Sequence, residues 1–297
     1  MTDELVIHTE RLGKSYGEVE AVKELNLSIR SHSITAFLGI NGAGKSTTIK
    51  MLLGMMRSST GDGTILGHRI SDPAENVRSR KKIAYVSENK RLYDYMTVEQ
   101  MIRFTSAFYP DWRSQEEQRL LRQYKLPLDR KIKALSKGMR TKLGLLLAFA
   151  RQPELLILDE PSDGLDPVGI EELLETLVAR CSEGTTVFFS SHQIAEVERV
   201  ADQICVLHAG RLVLDSSFDD LRESYRRIDL IFPSTPSALD FRLMGVEDCR
   251  TRGHQISLLA SGNTEALIAR ARDFHATSIE VTPVGLRDIF LEKVKES

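Results

Sequence analysis

Residues 39–47, GINGAGKST, constrain this chain more than any other stretch. They fit GxxxxGK[ST] and sit between an apolar strand-like stretch (33–38) and a helix-like one (47–56), the setting in which a glycine-rich turn cradles phosphate. Gly42 and Gly44 let backbone N–H groups turn inward with no Cβ in the way. The helix that starts there aims its positive end at the same anion. Lys45 supplies a cation for the β- and γ-phosphates, and the Ser46 hydroxyl can ligate Mg²⁺. Gly39, Asn41, Ala43 and Thr47 complete the candidate nucleotide loop.

A second element brings carboxylates. Residues 155–161 read LLILDEP: four apolar residues, then two acids. A buried strand of this kind delivers charge at its carboxyl end, where ligands of open α/β sheets bind. Asp159 is the candidate Mg²⁺ ligand, and Glu160 the candidate general base for an attacking water. Apolar runs at 154–158 and 186–190, with an amphipathic helix at 169–181 between them, predict a buried parallel sheet.

Further strands are expected at 5–9, 25–30, 65–66 and 82–86, a helical region at about 90–150 with breaks at Pro110, Pro127 and Gly138, and a hairpin around Ala209-Gly210. Beyond residue 215 the texture changes. Strands at 227–232, 246–251, 255–260 and 278–282, with helices at 234–242, 264–274 and 284–295, suit a small split βαβ sandwich. The expected domains are therefore 1–215 and 216–297.

The charge balance argues against a nucleic-acid binder. Forty basic residues against forty-two acidic ones leave a formal net charge of −2, and the one basic run, 78–82, suits a solvated helix face. The three cysteines are far apart and form no CxxC pair, so neither a zinc site nor a disulfide framework is expected. The opening MTDELVIHTE lacks the features of a signal peptide. The longest apolar run, LGLLLAFA at 143–150, is too short to span a bilayer and is expected to be a buried helix.

With these elements in order, the chain resembles the ABC (ATP-binding cassette) ATPases across about residues 5–215. LSKGM at 135–139 resembles the family signature LSGGQ, with Lys137 and Met139 departing from it. The resemblance implies that Ser136 and Gly138 offer a hydroxyl and a backbone N–H to the γ-phosphate held by a second subunit. PSDGLD at 161–166 is similar to the D-loop and ends in Asp166. Ser-Ser-His at 190–192 resembles the switch region, which makes His192 a γ-phosphate contact and a second catalytic residue. Tyr16 matches the aromatic that stacks on adenine. Glu88 stands where most members carry a Q-loop glutamine. It is expected to reach Mg²⁺, and the position is also acidic in subunits related to drug, polysaccharide and lipid exporters.

The implied fold is an α/β P-loop cassette with a mostly parallel core sheet, an antiparallel β subdomain and a helical subdomain, followed by a small α+β domain. The implied protein uses ATP and Mg²⁺ and pairs with an identical or related ATPase subunit. It powers separate transmembrane permease subunits, with export expected, from the inner face of the cell membrane. Residues 91–98, with Tyr93, Tyr95 and Met96, offer either permease contacts or ordinary core packing. The alternative function is a soluble ABC ATPase acting on ribosomes or DNA. Against it stand a single cassette, no sustained heptads and no cysteine clusters.

Overall fold

The computed structural model describes residues 4–234, 241 and 243–295, in two compact units, 1–215 and 216–297. In chain order the first unit contains Leu5–Tyr16 (β1), Val19–Leu25 (β2), Ser28–Arg30 (β3), Ile34–Leu38 (β4), Lys45–Leu52 (α1), Thr60–Ile65 (β5), His68–Arg69 (β6), Pro73–Lys82 (α2) and Ile83–Val86 (β7). It continues through Val98–Ser106 (α3), Ser114–Tyr124 (α4), Lys137–Phe149 (α5), Leu155–Asp159 (β8), Pro167–Ser182 (α6), Thr186–Ser191 (β9), Ile194–Val200 (α7), Gln203–His208 (β10) and Arg211–Ser217 (β11).

Strands β7, β8, β9, β4 and β10 are parallel neighbours in that order, and β11 adds an edge beside β10 through a two-residue turn. Ala209 and Gly210 both take positive φ in that turn, as a tight hairpin requires. The core strands β4, β8 and β9 are buried at every position because both faces of the sheet are covered. On one face Phe37, Ile157, Phe188 and Leu207 pack with Ile49 and Leu52 of α1 and with Ile7, Leu25 and Ile29 of the antiparallel sheet. Phe37 and Phe188 meet with ring centroids 5.4 Å apart. Burying side chains of this size stabilises the fold by about 1.5–3 kcal/mol each.

The antiparallel sheet runs β2-β1-β5-β6, with β3 also on β1. The single strand expected at 25–30 is two strands. The buried Thr9 hydroxyl donates to the Leu25 carbonyl and accepts the Leu27 N–H, while the Thr9 N–H donates to the Leu27 carbonyl, so a side chain enters the ladder at the break. The break expected at Gly138 is also corrected. Helix α5 starts at Lys137, capped by the Ser136 side chain, and Gly138 lies in its first turn. A Cβ at Gly138 would stand 2.5 Å from the Gly164 carbonyl oxygen, so glycine serves close approach there and not termination. Helix α1 begins two residues earlier than expected and ends at Leu52, before Gly54 turns left-handed at φ 61°.

The second unit contains Phe218–Ser224 (α8), Arg226–Ile231 (β12), Val246–Arg252 (β13), Gln255–Ala260 (β14), Thr264–Asp273 (α9), Ser278–Pro283 (β15) and Leu286–Lys295 (α10). The helix expected at 234–242 lies almost wholly outside the described residues. The sheet order β13-β14-β12-β15, antiparallel throughout, is the split βαβ arrangement. Ile228, Leu230, Ile256, Leu258 and Leu267 bury together at its core.

Candidate active site

Four neighbouring parallel strands deliver the candidate chemistry at their carboxyl ends, where an open α/β sheet binds its ligands. Strand β4 leads into residues 39–47, β8 ends on Asp159, β9 ends at Ser191 just before His192, and β7 leads into Ser87 and Glu88. Adjacent register places Asp159 opposite Ser190.

The glycine turn forms an anion cradle. Gly44 is the N-cap of α1 at φ 110°, and no side chain caps the helix. A Cβ on Gly44 would stand 2.5 Å from the Ala21 carbonyl oxygen, so only glycine fits. The uncapped N–H groups and the helix dipole face the same space. A cavity of about 250 Å³ opens there, lined by Asn41, Gly42, Gly44, Lys45, Ser46, Thr47, Glu88 and Glu160 among others. Gly39 and Ala43 shape the loop from behind. The Gly39 carbonyl accepts the Lys45 ammonium at 2.6 Å, and the Ala43 carbonyl accepts the Gly210 N–H.

Lys45 and Glu160 are each 6% exposed. The Lys45 ammonium lies 3.2 Å from Glu160 Oε1, an ion pair by distance without the angles of a hydrogen bond. His192 Nδ1 is 2.8 Å from the other oxygen, Oε2. The Glu160 backbone is held as firmly as its side chain. Its φ is +49°, a left-handed conformation that costs an acidic residue of order 1 kcal/mol or more. Its N–H donates to Ser190 Oγ at 3.0 Å, and its carbonyl accepts from the Asp163 N–H and the Lys90 ammonium, each at 3.2 Å. Ser190 Oγ in turn donates to Asp159 Oδ1 at 2.7 Å. The Asp159 carboxylate is buried, and with Glu88 it reinforces the effect of burial in pushing the Tyr85 phenol above its usual range.

The oxygen donors suit Mg²⁺. Ser46 and Glu88 line the cavity, and Asp159 stands at the strand end beside Glu160. Among the described residues no three His, Cys, Asp or Glu side chains converge into a cage. Mg²⁺ needs none, because it is held by one or two protein oxygens with phosphate and water.

The signature residues lie outside this cavity. Ser136 is exposed, and its Oγ accepts the Met139 N–H, which leaves the hydroxyl proton free to be donated. Lys137 donates to Asp163 Oδ1 at 2.6 Å, and the Thr141 hydroxyl donates to the Asp163 carbonyl. Asp166 is exposed and caps α6 by accepting the Gly169 N–H at 2.7 Å. Tyr16 is half exposed, with Lys14 over its ring and its hydroxyl on Met56. It does not line the phosphate cavity.

Sequence reasoning gave no role to Ser190, Lys90 or Glu196. Ser190 had a signal, as a hydroxyl at the end of an apolar strand beside the one ending on Asp159. Glu196 is buried in α7. Burial raises its pKa, contact with Ser162 lowers it and the Glu160 charge raises it again. Nothing in the sequence pattern around Lys90 or Glu196 announces these surroundings.

Comparison with known proteins shows the family. The family model described as "ABC transporter" matches residues 22–163. The uncharacterized ABC transporter ATP-binding protein YcbN of Bacillus subtilis is 33% identical over 97% of this chain and 97% of its own length. The bacitracin transport ATP-binding protein BcrA of Bacillus licheniformis is 33% identical over 75% of this chain and 73% of its own. A solved ATP-binding subunit of an ABC transporter superposes with a TM-score of 0.67 at 33% identity, covering 73% of this chain and 92% of that one. A strand-end site of this build, with relatives of this similarity along almost the whole chain, makes the protein a member of the ABC transporter ATP-binding family.

Proposed function

We propose that this chain hydrolyses ATP between two ATPase subunits and thereby powers a separate membrane permease. The observation that carries the reading is the Glu160 carboxylate, buried at the mouth of the phosphate cradle between the Lys45 ammonium at 3.2 Å and His192 Nδ1 at 2.8 Å. Lys45 and the N–H groups of residues 42–47 bind the β- and γ-phosphates. Tyr16 stacks on adenine. Glu160 accepts the proton of the attacking water. His192 orients Glu160 through Nδ1, 2.8 Å from Oε2, and its ring contacts the γ-phosphate. Ser46, Asp159 and Glu88 would hold Mg²⁺, which when bound neutralises phosphate charge. Ser190 keeps the Asp159 carboxylate aimed by donating to Oδ1.

Ser136, Gly138 and Asp166 complete the site of a second copy or a related subunit. They stand outside their own chain's phosphate cavity, and Ser136 and Asp166 face solvent. ATP then holds the two subunits together, and hydrolysis releases them.

The permease contact is assigned to a groove of about 210 Å³ lined by the end of β7, the following loop and helices α3 and α5. Beside it, Tyr93 and Phe104 meet edge to face at 5.5 Å and Phe104 and Phe108 at 5.1 Å, all of them exposed. Tyr93 and Tyr95 are thus surface residues and not core. No helix among the described residues is long and apolar enough to cross a membrane, so the assigned place is peripheral, on the inner face. A bacitracin transport protein among the relatives supports transport, with export as the assigned direction.

The test is fractionation with and without a co-expressed candidate permease, chosen from any membrane protein encoded beside this chain. The chain should sediment with membranes only when that protein is co-expressed, and its Mg²⁺-dependent ATPase should respond to it. Co-sedimentation with ribosomes or DNA instead would replace this reading with a soluble ABC ATPase.

A further inference from the structure

Lys90 is a lysine in an unusual place. It follows the loop after β7, is 6% exposed and sits at φ 39°, with its N–H on the Ser87 carbonyl. A buried ammonium costs several kcal/mol unless it is well paired. Here burial lowers the Lys90 pKa, while the carboxylates of Asp163, Glu88 and Asp159 act to keep the charge and Lys137 acts against it. The ammonium donates, at 3.2 Å, to the Glu160 carbonyl, 70 residues away in sequence. That carbonyl belongs to the residue held at φ +49°. The stem of Lys90 also lines the groove, with Tyr85, Met101, Tyr109 and Arg151, and its Cγ lies near Gly144.

We propose that Lys90 is a positioning residue for hydrolysis: its ammonium holds the Glu160 backbone in the left-handed turn that aims the carboxylate. The inference rests on the ATPase reading above. The Glu160 turn is pinned at the N–H by Ser190 and at the carbonyl by the Asp163 N–H and Lys90. Of the three, only Lys90 also lines the groove. Its charge further offsets that of Glu88, which lines the phosphate cavity.

The test compares K90M, K90Q and K90R with wild type for ATP affinity, kcat and KM, alone and in an E160Q background. The two apolar or neutral variants serve each other if one fails to fold. K90M or K90Q should lower kcat about tenfold or more while ATP affinity and KM stay within about threefold, and K90R should recover most of the loss. In the E160Q background the same change should cost nothing further, because the carboxylate it aims is gone. Wild-type kcat in K90M and K90Q would overturn the proposal. So would a loss equal in all three variants, or one that fully adds to E160Q, since either marks general structural damage. An inactive wild type would instead contradict the ATPase reading, and is seen before any variant is made.

Discussion

Lys45, Asp159 and Glu160 are almost wholly buried, and hydrogen bonds or ion pairs with neighbouring loop, helix or strand residues hold each of them. On the signature side Ser136, Lys137 and Asp166 are exposed, held by helix caps and one surface ion pair. The first region has the buried, paired build that the proposed phosphate site needs. The second is an outward face, which the proposed function turns toward ATP held by a second subunit. Low-dielectric burial strengthens the first group of interactions, while the exposed Lys137–Asp163 pair contributes at most about 1 kcal/mol to stability. The contrast separates binding from hydrolysis. One region should suffice for nucleotide affinity, and the other should matter only when two chains meet.

The largest effect is expected from K45A. Among the described residues Lys45 is the one lysine or arginine lining the phosphate cavity, and its loss also removes the ammonium paired with Glu160 Oε1. Nucleotide titration should show ATP affinity reduced by about 100-fold or more, some 2.7 kcal/mol. Undiminished affinity would erase the difference between the two regions at its stronger end.

A smaller and different effect is expected from S136A. Removing the cap costs about 1 kcal/mol of stability. ATP affinity of the single chain should stay within about twofold, while ATPase falls about tenfold because the opposing γ-phosphate loses a donor. Equal losses of affinity and turnover would place Ser136 in its own chain's site and break the comparison.

The two regions were not equally legible in the sequence. The cradle was readable because phosphate chemistry demands particular residue types at fixed spacing, and the acids after 155–158 because a buried strand announces its own carboxyl end. The strand expected at 255–260 is β14. What stayed hidden depends on chain segments meeting in space. Gly138 read as a break because its use, contact with Gly164, is invisible in one dimension. Residues 25–30 read as one strand because nothing local signals that the Thr9 hydroxyl enters the ladder. Lys90 could not be connected to Glu160, since the loop and the strand end are joined only by the sheet order.

On the proposed reading each chain carries two half-sites, and ATP joins them across two copies. E160Q measures this most directly. The amide keeps the shape of the side chain but cannot accept the water proton, so hydrolysis should fall by about 10²–10⁴ while ATP binding persists. With Mg·ATP, light scattering behind a sizing column should then show a stable dimer, reverting to monomer when ATP is withdrawn. A variant that binds ATP with wild-type affinity and still elutes as a monomer would contradict the account.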